Sequence, residues 1–251
     1  MTNQMLNISL QSEYVANIVG LNITNTFLTS ILVTIILLVA SVIFYFHKKG
    51  HKNIILKGIE ILIYELLQLC DKITNNRKLS KKILPLIATF FLFIVTANII
   101  ALIPGFLDAI FVKKSATKMA SLVRSPNSDL TTTIALSIFS VLAIQFFSLQ
   151  ALGLKGFLAR FFNFHGIMNF ILGIFEIISE SVKILSFSFR LFGNLFAGEV
   201  LLLVVSYLVP YILPLPFMFL EIFVGIIQAF IFAALTLTFI KTSTLHHLAN
   251  E

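Results

Sequence analysis

The sequence predicts an all-α polytopic membrane protein with five membrane-crossing helices plus one interfacial amphipathic helix, the last two crossing helices being long and strongly tilted. Hydrophobic residues make up 58% of the 251 residues and charged residues 12%, whereas soluble domains carry about 25% charged residues. Several uncharged apolar runs reach about 20 residues, enough to cross a hydrocarbon core of about 30 Å. These runs are continuous and lack the alternating polarity of membrane barrel strands, which excludes that class.

The first two thirds of the chain divide into apolar runs and polar breaks. We predict a single membrane domain over 1–251 that begins with an outer N-terminal segment at 1–25. Spanning helices are predicted at 26–46, 83–104 and 130–152. Between them, polar residues recur at spacings of three and four along 52–74, which is typical of a helix lying in the membrane interface.

The final third predicts a pair of long helices at 166–208 and 212–241, separated by a proline-rich break. A continuous helix over 166–208 would be roughly 63 Å long, about twice the hydrocarbon thickness. Such a helix must tilt by about 60° from the membrane normal, whereas the usual tilt is about 20°.

The distribution of basic residues predicts the orientation in the membrane. Nine of the 18 Lys and Arg residues fall in 47–82, and 1–25 has none. The positive-inside rule therefore places 47–82 and the C-terminus in the cytoplasm or matrix and the N-terminus outside. A bacterial inner membrane is predicted, and the mitochondrial inner membrane is less favoured. Four basic residues in 105–129 would lie outside in this orientation, which runs against the rule. In a membrane protein the basic net charge does not indicate nucleic-acid binding, and the single cysteine excludes a disulfide framework.

Ionisable residues inside the apolar runs are the strongest functional signal, because each costs about 2.5–3.5 kcal/mol at mid-membrane. At 100° per residue, one face of the helix over 166–208 contains Glu176, Glu180, Lys183, Phe187, Arg190 and Asn194. Glu199 lies about half a turn away from Arg190. In the last helix Glu221 and Gln228 share a face, being seven residues apart.

These residue types suit ion translocation better than hydrolysis. A guanidinium stays charged at any relevant pH and is a fixed barrier, whereas glutamates in wet, low-dielectric pockets load and unload protons. The competing interpretation is internal pairing of Glu176 and Glu180 with Lys183 and Arg190, and for Lys183 the two are equally strong. His165, His246 and His247 are interpreted as interfacial or solvated, and no metal site, cofactor site, nucleotide site or nucleophile motif is predicted.

A twelve-residue string, Ser188-Phe189-Arg190-Leu191-Phe192-Gly193-Asn194-Leu195-Phe196-Ala197-Gly198-Glu199, resembles subunit a of F-type ATP synthases. Further matches from about residue 83 onward are Asn98 with Pro104, Ser125-Pro126-x-x-Asp129, Glu176 with Lys183, and Gln228-Ala229-Phe230-Ile231-Phe232. Two positions depart from the family pattern: Glu221, where some relatives carry His, and the loop 161–165, which lacks a proline.

The resemblance implies a role for each candidate residue. Arg190 would be the stator charge that faces the c-ring carboxylate, with Asn194 and Lys183 as supporting residues. The outer proton path would contain Glu199, Glu221, Gln228 and Asn98. The inner proton path would contain Glu176, Ser179 and Glu180. The implied partners are the c-ring, the peripheral-stalk b subunits and the lipid bilayer, with no cofactor, nucleic acid, bound nucleotide or catalytic site of this chain's own.

Two other functions are compatible with buried charges alone. One is a self-contained secondary transporter or channel, which would need a substrate site at broken helices. The other is a membrane scaffold in which the charges form packing pairs.

Overall fold

The computed structural model describes residues 14–18, 21–46, 54–102, 111–115, 118–121, 124–161, 167–209 and 212–245. The α-helices of this part of the chain are α1 (Asn25–Phe46), α2 (Ile54–Thr74), α3 (Arg77–Leu102), α4 (Leu130–Phe161), α5 (Ile167–Leu208) and α6 (Pro214–Leu245). All except α2 are long and apolar enough to cross a membrane, which makes 5 candidate spans among the described residues. The prediction of an all-α polytopic membrane protein with five crossing helices is confirmed.

Two short antiparallel hairpins outside the helices were not predicted. Strand β1 (Tyr14–Ile18) pairs with β2 (Leu21–Thr24), and β3 (Phe111–Ser115) pairs with β4 (Lys118–Ser121). Strands of 4 or 5 residues are too short to produce a clear period-two hydrophobic pattern. A polar segment that contains such strands therefore looks like a loop in the sequence.

Helix α3 begins at Arg77, six residues before the predicted start at 83. The side-chain oxygen of Asn76 accepts hydrogen bonds from the backbone N–H groups of Lys78, at 3.0 Å, and Leu79, at 3.3 Å. Asn76 therefore caps the helix, and its charged first turns lie before the apolar run. Hydrophobicity alone marks only the apolar part of such a helix.

Helix α4 contains a kink at Gly153, where φ is 70° and ψ is 169°. This backbone conformation is available to glycine and strained for other residues. The kink lies next to the predicted helix end at 152, and a further helical stretch continues to Phe161.

Helix α5 is a single helix of 42 residues, which corresponds to about 63 Å. Its bounds agree with the predicted 166–208, and its strong tilt stays a prediction. Helix α6 begins at Pro214, a residue that the first helical turn accommodates because its missing N–H has no helical partner there.

The chain divides into two compact units, so the predicted single domain stays a prediction. The first unit contains Met1–Val39, Phe93–Thr133 and Arg190–Ile227, and the second contains Ala40–Leu92, Ile134–Phe189 and Gln228–Glu251. Helices α1, α3, α4, α5 and α6 each contribute a segment to both units.

Aromatic and hydroxyl contacts hold the second unit together. The ring of Phe232 lies 5.4 Å from that of Phe90 and 4.9 Å from that of Phe187. On the same unit, the hydroxyl groups of Ser140 in α4 and Thr236 in α6 are 2.9 Å apart and both residues are buried. Such hydroxyl pairs let helices approach closely in lipid.

The interpretation of His165, His246 and His247 falls outside the described residues, as does most of the loop 161–165.

Candidate functional site

An ion pair in the first unit joins the segment before α4 to α5. The Arg124 guanidinium donates from Nε to Oε1 of Glu199 at 3.2 Å and from Nη2 to Oε2 at 3.1 Å. The Arg124 side chain is 14% exposed and that of Glu199 is 37% exposed. This two-point geometry is the strong form of an arginine–carboxylate interaction. Arg124 was not predicted as a partner of Glu199. The only signal for Arg124 in the sequence was a basic residue on the side predicted to be outside.

Glu221 lies against the same part of α5. It is 8% exposed, and a Cβ placed on Gly198 would be 2.7 Å from its Oε1 and 2.8 Å from its Cδ. Gly198 precedes Glu199, so Glu221 lies against the same helical turn that carries the other acid predicted for this path. Among the described residues, Glu221 Oε2 has no hydrogen-bond partner.

Asn98 of α3 lies in a buried chain of amide groups that contacts α6 at Gly225, one helical turn from Glu221. Its Nδ2 donates to the carbonyl oxygen of Gly225 at 3.2 Å, and its Oδ1 accepts from Nδ2 of Asn127 at 2.7 Å. Asn98 and Asn127 are 2% and 0% exposed. Asn127 was also not predicted as a site residue. It lies in a short turn, which has neither the periodicity of a helix nor the apolar length of a membrane span.

The segment from Ser125 to Asp129 is buried and held by its own hydrogen bonds. Asp129 accepts from the backbone N–H of Thr131 at 3.0 Å and from the hydroxyl of Thr26 at 2.9 Å. The carboxylate therefore caps α4 and links that cap to the start of α1. Arg124 thus extends from an ordered turn.

Arg190 occupies a different environment within the first unit. Arg190, Gly193, Asn194 and Ala197 are all exposed, and a Cβ placed on Gly193 would meet nothing within 4 Å. These residues recur at spacings of three and four and so form one face of α5. We call Arg190, Gly193, Asn194 and Ala197 the arginine face.

The second unit contains the remaining candidates. Lys183 Nζ lies 2.8 Å from Oε1 of Glu180, and both side chains are 12% exposed. Lys183 also lies 4.9 Å from the ring centroid of Phe239 in α6, which is within the range of a cation–π interaction. The pairing that the sequence allowed for Lys183 is therefore present with Glu180.

Glu176, Ser179 and Gln228 differ in their burial. Glu176 is half-buried one turn before Glu180, and Ser179 is exposed. Gln228 is 2% exposed. Phe187, which shares the predicted polar face, is also 2% exposed, so that face alternates between exposed and packed positions along α5.

Within the described ranges, no group of three or more His, Cys, Asp or Glu residues has the geometry to hold a metal ion.

Comparisons with known proteins identify what the chain resembles. The family model described as ATP synthase A chain matches residues 27–241. A Moorella thermoacetica protein named ATP synthase subunit a is 36% identical over 163 residues, which cover 65% of each chain. Proteins of the same name from Campylobacter fetus and Campylobacter jejuni are 29% and 33% identical over 85% and 68% of each chain. The match thus spans just under two thirds of the Moorella relative and most of the Campylobacter fetus relative.

Proposed function

Because the chain belongs to the ATP synthase A chain family, we propose that it is the proton-translocating stator subunit of an F-type ATP synthase. In this role it provides two offset half-channels and an essential arginine against a rotating c-ring, and it couples proton flow to ATP synthesis. It works in the membrane, in a bacterial inner membrane with its N-terminus outside. Its partners are the c-ring and the peripheral-stalk b subunits.

The arginine face is the observation that carries this proposal. Arg190 is exposed on a predominantly apolar helix that also contains three glutamates and a lysine, and an exposed charge inside a membrane favours a polar or charged counterpart on a partner surface. A ring of carboxyl-bearing helices is such a counterpart. Gly193 and Ala197 on the same face are small, which allows a partner helix to approach closely. Asn194 adds a polar group beside the arginine.

The outer path consists of Glu199 and Glu221, with Asn98 and Gln228 as further polar groups. The burial of Glu221 against Gly198 and the buried Asn98 chain support a polar route through Glu199, Glu221 and Asn98 within the first unit. Gln228 belongs to the second unit. A proton taken up there neutralises a c-ring carboxylate, which is then able to rotate into lipid.

The inner path consists of Glu176, Ser179 and Glu180, with Lys183 as a supporting residue. After nearly a full turn of the ring, the carboxylate reaches this path and loses its proton. Arg190 prevents protons from passing directly between the paths, because its guanidinium stays charged. Each proton that crosses contributes about 2.3 kcal/mol per 100 mV of membrane potential, and several together drive ATP formation.

The test is ATP-driven acidification of inverted membrane vesicles that contain the complex with Arg190→Ala. We expect pumping to be abolished while the amount of assembled complex stays normal. Arg77→Ala is the matched control, because Arg77 is an exposed arginine paired with Asp71 at the turn between α2 and α3.

Normal pumping by an assembled Arg190→Ala complex would refute the stator mechanism. Proton or solute transport by the purified chain alone in liposomes would instead favour the self-contained transporter.

A further inference from the structure

The ion pair between Arg124 and Glu199 joins parts of the chain that are 75 residues apart. Both Nε and Nη2 of Arg124 contact the carboxylate, at 3.2 Å to Oε1 and 3.1 Å to Oε2. A two-point contact fixes the orientation of a carboxylate as well as its position, which a single hydrogen bond does not do. Glu199 is therefore oriented by a group outside its own helix.

The turn that holds Arg124 is built to keep it in place. Asn127, three residues on, is fully buried and bonded to Asn98. Asp129 caps α4 and accepts a hydrogen bond from Thr26. The turn is thus tied to α1, α3 and α4 within the first unit, and Arg124 projects from it toward α5.

Charge balance gives this arrangement a function. Glu221 lies against Gly198, next to Glu199 in the sequence, so two carboxyl groups and one guanidinium belong to the same part of the first unit. Two neighbouring carboxyl groups that share one proton carry a single negative charge, which one arginine neutralises. Loading or unloading a proton would then change these three groups together between neutral and charged states.

We propose that Arg124 is a positioning residue of the outer path: it holds the Glu199 carboxylate beside Glu221 so that the two acids exchange a proton. This inference rests on the proposed function. The outer path then contains an arginine distinct from Arg190. Arg124 acts through Glu199, and this role requires no contact between Arg124 and the c-ring.

The test measures ATP-driven acidification per ATP hydrolysed in inverted vesicles, with assembly of the complex measured in parallel. We expect Arg124→Met to lower pumping at least tenfold, because methionine retains an apolar stem and removes the charge. Arg124→Lys should pump less than the parent and more than Arg124→Met, since it retains the charge but loses the two-point geometry that orients Glu199. Arg77→Met is the matched control and should stay within twofold of the parent.

A double-mutant comparison separates positioning from a general structural role. In a Glu199→Asp background the carboxylate is one methylene shorter and no longer makes the two-point contact. If Arg124 acts through Glu199, adding Arg124→Met to that background should lower pumping less than twofold. An equal fold loss in both backgrounds, or pumping by Arg124→Met within twofold of the parent, would overturn the inference.

If the methionine variant does not assemble, Arg124→Gln serves for the same comparison and has the same two overturning outcomes. Loss of pumping by Arg190→Ala together with normal pumping by the Arg124 variants would refute this inference alone. Normal pumping by Arg190→Ala would refute the proposed function itself.

Discussion

At the scale of single residues, Gly198 shows how one missing side chain positions a charged group. The Glu221 carboxyl group occupies the space that a Cβ at position 198 would need, with Oε1 only 2.7 Å from it. Only glycine leaves room for that contact. The close approach brings an acid of α6 to the helix that carries Glu199.

We predict that Gly198→Ala lowers pumping at least fivefold in assembled complexes. The new methyl group displaces the far end of a flexible side chain, so the fold survives while the Glu221 carboxyl group moves away from Glu199. The measurement is acidification of inverted vesicles. Gly58→Ala is the matched control, because a Cβ there meets nothing within 4 Å, and equal activity of the two variants would contradict the prediction.

A second prediction concerns Cys70, the single cysteine of the chain. Its side chain is fully buried in α2, and this burial raises the pKa of the thiol from 9.0 to about 11. We therefore expect negligible reaction with maleimides in native membranes at pH 7–8, because the thiolate is the reactive form. The rate should increase at least tenfold after denaturation in detergent.

The sign of the pH dependence follows from the same shift. The unfolded thiol ionises near the ordinary value of 9.0 and the folded thiol near 11. The contribution of Cys70 to stability is therefore complete below pH 9 and is lost as the pH rises toward 11. Rapid labelling of the native protein at pH 7 would contradict the burial of Cys70.

At the scale of secondary-structure elements, the start of α4 depends on one carboxylate. Asp129 caps the helix through Thr131 and accepts a hydrogen bond from Thr26 at the start of α1. We predict that Asp129→Ala destabilises the subunit by about 0.5–2 kcal/mol, the usual cost of losing such a cap.

The measurement is the temperature at which the subunit is lost from the complex. It should fall by about 2–4 °C for each kcal/mol in a chain of this size. Asp129→Asn keeps one acceptor oxygen, which can serve the backbone N–H of Thr131 but not both hydrogen bonds. It should therefore lower the temperature less than Asp129→Ala does. An Asp129→Ala complex as stable as the parent would show that the cap contributes nothing.

Helix α5 shows what helical periodicity predicts about a side chain and what it does not predict. The spacing correctly places Glu180, Phe187 and Arg190 along one predicted face, but their environments differ. Phe187 packs against the ring of Phe232, Glu180 pairs with Lys183, and Arg190 is exposed. Periodicity gives the direction in which a side chain leaves its helix, whereas its neighbours come from other elements.

At the scale of the whole molecule, the spans were predictable because the bilayer imposes a local rule. Every backbone N–H and C=O inside the hydrocarbon must find a partner, and a helix satisfies these groups within one segment. An uncharged apolar run of sufficient length therefore predicts its own structure. The kink at Gly153 and the early start of α3 at Arg77 are the places where local backbone and capping details modified those runs.

The orientation in the membrane is a further feature of the whole molecule, and the ion pair of Arg124 bears on its prediction. Arg124 is one of the four basic residues in 105–129 that run against the positive-inside rule. Its pairing with Glu199 gives that charge a role in packing, so it counts less against the predicted orientation.

The sequence by itself determined the membrane class, the number of crossing helices, the family string around Arg190 and the identity of the acids inside the apolar runs. Each of these depends on residues that are close together in the chain or on overall composition. The tertiary structure decided the partner of Glu199, the position of Glu221 on Gly198 and the bond between Asn98 and Gly225. The Arg124–Glu199 and Asn98–Gly225 contacts join residues separated by 75 and 127 positions. Helical periodicity extends along one helix only, so contacts between distant segments arise when the helices pack.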